Sequence, residues 1–216
     1  MLKKKVELTD MSFILDDGLF YIRDRSSGEI FLVGNARLSC PSISDDAFLV
    51  SRDSSSVFFV EPNEGIVALV SVDKEEKAFN INLAISKIRP AKASSFVFSS
   101  SERSLLLLDK ESSLYYFFVD DHMESSANIG PSLEEPIIVK ACGDLSIISY
   151  GKILYVISRG MRNAIELDEP LLANTTLKQV SEDIFELNDG RIRIRMEVDS
   201  SGNVIYGKEV NPFYGR

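Results

Sequence analysis

Tryptophan is absent from the 216 residues, histidine occurs once, as His122, and the only cysteines are Cys40 and Cys142. Each scarcity removes a class of chemistry. A Ser-His-Asp arrangement would have to be built on His122, which stands in the polar run Asp120-Asp121-His122-Met123-Glu124. The two cysteines fit no C-x-x-C or other metal-ligand spacing and read as buried free thiols in a reducing compartment. The carboxylates of the His122 run lack the spacing and the glycine of a calcium loop. No G-x-S-x-G or G-x-G-x-x-G occurs, and Gly151-Lys152 lacks the upstream glycine and downstream hydroxyl of a phosphate loop. No catalytic residue, metal or cofactor is therefore assigned.

Long apolar runs are missing too. The longest, Leu114 to Val119, is far too short to cross a bilayer as a helix. The basic start Lys3-Lys4-Lys5 meets Glu7, Thr9 and Asp10 rather than the apolar stretch of a secretory leader. The expected residence is intracellular, in cytoplasm or nucleus, and the sequon at Asn174 is expected to stay unused. Acid outnumbers base, giving a net charge of -9, which disfavours non-specific attraction to nucleic acid or anionic lipid. The excess is local, with eight acidic residues against two basic ones between Glu102 and Glu135. Such a stretch is ordinarily a solvated surface, or else the place where a basic partner docks.

What the chain does contain is β-structure grammar. Five segments each hold three short apolar or alternating runs separated by two polar turns, starting at Phe13, Phe48, Phe96, Ser146 and Ile184. The turns, among them Asp17-Gly18, Ser27-Gly28, Arg52 to Ser55, Pro62 to Gly65, Lys110 to Ser113, Asp189-Gly190 and Ser201-Gly202, carry residues that reverse a chain cheaply. Leu114 to Val119 lacks alternation and reads as a strand buried on both faces, whereas Arg191 to Met196 alternates strictly. Helix candidates are confined to Lys74 to Lys77 and Glu169 to Ala173.

The starts fall 35, 48, 50 and 38 residues apart, bracketing the roughly 40–45 residues of a four-stranded propeller blade. A weaker fourth strand is expected between the triplets, at Ala36 to Ser39, Ala78 to Ile85, near Asn128 and at Leu171 to Leu177. In strand grammar and spacing the chain resembles the WD40-like β-propellers over most of its length; the resemblance is one of pattern, since the Trp-Asp and Gly-His dipeptides of that family are absent. It implies a single all-β domain over 1–216, a small propeller of about five blades, in which Val6 to Leu8 would close the ring by pairing near Val204 to Tyr206. A β-sandwich or barrel, and an incomplete propeller completed by a partner, use the same hairpins.

The function expected is a non-catalytic protein-interaction scaffold, a propeller subunit of a multiprotein or ribonucleoprotein assembly. Candidate partner-binding residues are the ladder Arg191, Arg193 and Arg195, with Arg23 and Arg25 as a shorter pair, and the acidic turn Asp120 and Asp121. Three guanidiniums on one strand face suit an acidic peptide or a row of phosphates, and RNA bound there would look to Tyr206 and Tyr214 for stacking. The plain alternative is a solvent-facing strand whose arginines pair with nearby carboxylates. A hydrolase acting on carbohydrate, with acids drawn from Asp16, Asp17, Asp45, Asp46, Asp144 and Asp183, is a further possibility.

Overall fold

A computed structural model of the protein describes residues 3–8, 11–16, 19–35, 44–75, 78–130, 133 and 137–211. Sheet 1 comprises β1 (Lys3–Glu7), β2 (Met11–Asp16), β3 (Leu19–Asp24) and β4 (Ile30–Asn35). Sheet 2 comprises β5 (Phe48–Ser51), β6 (Ser56–Glu61), β7 (Ile66–Glu75) and β8 (Ala78–Lys87). Sheet 3 follows with β9 (Phe96–Ser100), β10 (Ser104–Asp109), β11 (Leu114–Val119) and β12 (His122–Asn128). Sheet 4 holds β13 (Ile138–Cys142), β14 (Leu145–Tyr150), β15 (Ile153–Ser158) and β16 (Met161–Glu166), and sheet 5 holds β17 (Thr176–Ser181), β18 (Ile184–Asn188), β19 (Ile192–Val198) and β20 (Val204–Val210). Every sheet is an antiparallel meander of four consecutive strands. Two compact units divide the chain: residues 1–96 with 120–122, and residues 97–119 with 123–216.

The five triplets are all present, but they do not start at the same place in each sheet. In sheets 1, 4 and 5 the strand left out of the triplet comes first (β1, β13, β17); in sheets 2 and 3 it comes last (β8, β12). Measured from first strand to first strand the spacing is 45, 48, 42 and 38 residues, tighter than the triplets suggest. The irregularity in the sequence is thus largely one of phase.

Second strands form the core. The strands β6 and β10 are buried at every position, and β2 at all but its last. Three of them share a pattern, a buried serine opening an apolar run that ends in an acid: Ser12 to Asp16, Ser56 to Glu61 and Ser104 to Asp109. The terminal acid organises the turn beyond it. Glu61 is fully buried and accepts from the Ser44 amide and hydroxyl, both at 2.7 Å, and from the Asn63 amide at 3.1 Å. Asp109 accepts from the Glu111 amide at 3.1 Å and from the Ser112 hydroxyl. The β6–β7 turn closes on Gly65 at φ +65°, where a Cβ would lie 2.3 Å from the Ile88 carbonyl oxygen.

Within the first unit, Phe13, Leu15 and Ile22 of sheet 1 pack on Val57, Phe59 and Val70 of sheet 2. In the second unit, Leu106, Leu108 and Phe117 of sheet 3 meet Ile148 and Ile157 of sheet 4, whose other face, with Leu145, Ile147 and Val156, meets Phe185, Leu187, Ile194 and Met196 of sheet 5. Each such side chain contributes about 1.5–3 kcal/mol of burial.

Four expectations are corrected. Val6 to Leu8 is not a closing strand: β1 pairs with β2 through Val6 opposite Phe13, while Val204 to Tyr206 belongs to β20 and pairs with β19. Lys74 and Glu75 lie in strand β7, residues 76 and 77 lie outside the described residues, and residues 169–173 form a connection, so no described residue of either stretch is helical; the one helix among the described residues is a 3₁₀ turn at Ala93–Ser95. Leu171 to Leu177 is not the last strand of sheet 4, because β16 fills that place and β17 opens sheet 5. The fourth strand of sheet 1 is β4, and Ala36 to Ser39 lies outside the described residues, as do Asp17-Gly18 and Cys40.

Candidate interaction face

Sheet 5 is two-faced. Along β19 the burial alternates, so that Ile194, Met196 and Val198 face sheet 4 while Arg193, Arg195 and Glu197 are exposed on the opposite side. Register extends that outer face across the sheet in rows. Lys178, Glu186, Arg195 and Gly207 stand side by side on β17, β18, β19 and β20; Thr176, Asn188, Arg193 and Glu209 form the next row. At the other end lie Ile184, Glu197 and Ile205, with Val180 at a bulge in β17; Ile205 is 71% and Val180 53% exposed. Three cations thus alternate with three carboxylates.

Glu186 sits at the centre of that network. Lys178 Nζ lies 3.0 Å and Arg193 Nε 3.7 Å from its Oε1. The hydrogen bond from Lys178 above all, and then the positive charge of Arg193, hold its carboxyl below the usual range against the opposing effect of desolvation.

Arg191 leaves the ladder. It precedes β19, and its guanidinium turns back to Asp189, with Nη2 2.7 Å from Oδ2, and to Glu169, with Nη1 2.7 Å from Oε2. It also donates to the Pro170 carbonyl at 2.5 Å. Asp189 is buried, and its Oδ1 accepts the amides of Arg191 and Ile192, both at 2.9 Å. Burial pushes this carboxyl up, but the Ile192 amide and the Arg191 side chain and amide outweigh it and hold it low. The clamp ties the β18–β19 turn to the connection before β17. Sequence pattern alone groups Arg191 with its neighbours because Glu169 and Pro170 lie some twenty residues upstream.

The other singled-out residues are scattered. Asp120, at φ +52° after β11, takes a hydrogen bond from Arg52 Nη2 at 2.8 Å, while Asp121 is exposed and lies 3.4 Å from His122 Nδ1. Tyr206 stands opposite Met196 in the ladder of hydrogen bonds, hence on the face away from Arg193 and Arg195, and Tyr214 lies outside the described residues. Asp144 and Asp183 converge on Arg159, at 3.5 and 2.5 Å, so that a cation stands between them. Asp46 lies 3.5 Å from the Asn63 side-chain amide. Two shallow clefts of about 260 and 380 Å3 flank Ile192 and Val210; the first is walled by the ion pairs of Arg191 with Glu169 and Lys208 with Asp168.

No protein-family model matches the chain, and no curated protein does. Solved structures do. Hsv2 of Kluyveromyces lactis aligns over 96% of this chain and 71% of its own, with a TM-score of 0.52 and 8% identity. Apo AztD of Citrobacter koseri aligns over 94% of this chain and 58% of its own, with a TM-score of 0.51 and 11% identity. Both neighbours are propellers. The fold is a β-propeller of five four-stranded sheets. At such identities the likeness concerns architecture alone, and the chain spans about seven-tenths of the first neighbour and under two-thirds of the second.

Proposed function

We propose that the protein is a non-catalytic scaffold, acting inside the cell, that holds a protein partner on the outer face of sheet 5. The supporting observation is the contrast between the two sides of that sheet: one is apolar and covered by sheet 4, the other is exposed and alternates in charge. An alternating surface matches a partner of alternating charge and gives specificity more than raw affinity. It suits RNA less well, because Glu186, Glu197 and Glu209 interleave with the cations that would meet phosphates, and Tyr206 points the other way. The wild-type chain and an Arg193→Glu/Arg195→Glu variant, each immobilised at physiological salt, test the reading. A stoichiometric protein partner retained by the former and lost by the latter supports it. Equal retention by both places the binding elsewhere, and selective retention of RNA overturns the choice of partner.

A further inference from the structure

The last strand of sheet 5 is an edge without the usual protection. Asn211 donates to the Arg191 carbonyl at 2.7 Å, which makes the odd-numbered residues of β19 and β20 the hydrogen-bonded pairs of their ladder. The amides and carbonyls of Val204, Tyr206, Lys208 and Val210 therefore point away from β19, and among the described residues nothing bonds to them. The register of β20 runs unbroken over 7 residues, without proline or bulge, whereas the opposite edge of the same sheet, β17, is bulged between Gln179 and Ser181. Exposed large apolar side chains also set β20 apart from other last strands. It carries Ile205, Tyr206 and Val210, while β16 carries Met161 alone and β12 carries none. Natural edges are blunted by charge, proline, bulges or cover, and a long regular apolar edge is a template for another strand.

We propose that an extended segment of a partner protein adds to β20 as a fifth, antiparallel strand of sheet 5. This site is the backbone edge of β20, apart from the charged rows of the outer face, and the residues that build it all belong to the second unit. Antiparallel addition continues the meander and lets residues directly opposite Val204, Tyr206, Lys208 and Val210 exchange both of their hydrogen bonds. Those four side chains lie on the side of the sheet that faces sheet 4, because they pair with Val198, Met196, Ile194 and Ile192.

Charge sets the chemistry of the occupant. Val210 borders the cleft of about 260 Å3 whose wall holds Asp168 and Glu169. These carboxylates are 86% and 72% exposed, while the cations paired with them, Lys208 and Arg191, are only 26% and 19% exposed. What an incoming strand meets at that end is acid. The occupant is accordingly a segment with apolar side chains at alternate positions and a lysine or arginine at its N-terminal end, whose stem crosses Val210 and whose charge reaches Asp168 and Glu169.

The probe is a capped heptapeptide, lysine-threonine-valine-threonine-valine-threonine-valine, labelled with fluorescein and titrated with the full wild-type chain by fluorescence anisotropy. Saturable one-to-one binding is expected, with slowed hydrogen exchange at the amides of Tyr206, Lys208 and Val210. N-Methylation of the two inner valines removes donors that face β20 and is expected to weaken binding about tenfold or more, whereas methylation of the first two threonines, whose amides face away, leaves it unchanged. Glutamate in place of the lysine is expected to weaken binding about threefold or more. The perturbations lie in the probe, so the fold of the chain is untouched by them. Absence of saturable binding, equal loss from both methylated forms, indifference to the lysine, or protection away from β20 overturns the proposal. So do edge amides that already exchange slowly in the free chain, since residues 212–216 or a second copy then hold the edge. None of these results bears on the outer face, which is tested through Arg193 and Arg195.

Discussion

Replacing Asp189 tests the part that Arg191 plays apart from Arg193 and Arg195. The Asp189 carboxylate receives two backbone amides at 2.9 Å and two guanidinium nitrogens of Arg191, Nη2 at 2.7 Å and Nε at 3.2 Å, with its side chain fully buried. Asp189→Ala removes four charge-assisted hydrogen bonds and strands two amides. A hydrogen bond to a charged group is worth about 1.5–3 kcal/mol, but Arg191 keeps Glu169 and Pro170 and remains partly solvated, so the net cost is about 2–3 kcal/mol. Over a chain of this size that corresponds to a fall in Tm of about 5–10 °C. Asp189→Asn keeps an oxygen for the two amides but sets an NH2 group against the guanidinium, and is expected to cost about half as much.

The pH dependence checks the cause. The folded-state pKa of Asp189 is depressed below 3.8, so in acid the unfolded chain binds more protons than the folded one. Its stabilisation is fully present above the unfolded value and fades as pH falls through the folded one. Urea titrations followed by tyrosine fluorescence and circular dichroism, at pH 7 and at pH 4 and below, should show the gap between wild type and Asp189→Asn narrowing with acid. A gap below about 0.5 kcal/mol at pH 7, or one that widens in acid, refutes the clamp.

Two further perturbations test the packing and the turns. Phe117→Ala, at a fully buried side chain packed between sheets 3 and 4, is expected to cost about 3–5 kcal/mol, read as a lower urea midpoint with far-UV dichroism as the probe. Gly65→Ala combines φ +65° with a backbone clash at 2.3 Å and is expected to cost about 2–3 kcal/mol in a thermal melt, whereas Gly160→Ala, at φ +73° with nothing within 4 Å of its Cβ, bears only the conformational part of about 1 kcal/mol.

Strand identity was legible where residue type decides it. Runs such as Leu114 to Val119 have no alternative to a strand buried on both faces, and Gly28, Gly65, Gly190 and Gly202 mark reversals because the backbone there adopts positive φ. Phase was illegible because β1, β13 and β17 are short or polar and make their hydrogen bonds to a stronger neighbour rather than through any pattern of their own. The same limit misplaced the helix candidates: Lys74 and Glu75 carry helix-forming side chains, yet they extend β7 opposite β8 by pairing that propensity does not register. The ladder of arginines was legible as alternation, and Arg193 and Arg195 keep it. Arg191 does not, since what redirects it is a buried carboxylate two residues before and a carbonyl contributed from another connection.

Sheet 4 packs apolar side chains on both sides because a neighbour lies on each. The apolar side of sheet 5 packs on sheet 4, and the energetics of its two sides differ accordingly: the covered side gains from burial, while the exposed side must keep its charges hydrated or paired. Glu186, with Lys178 and Arg193 about it, shows pairing within the sheet. Intramolecular pairing of this kind leaves the face neutral, soluble and weakly attractive to any surface carrying the same alternation. Such a face gives up little on docking, because each exposed ion pair contributes only about 0–1 kcal/mol before a partner arrives.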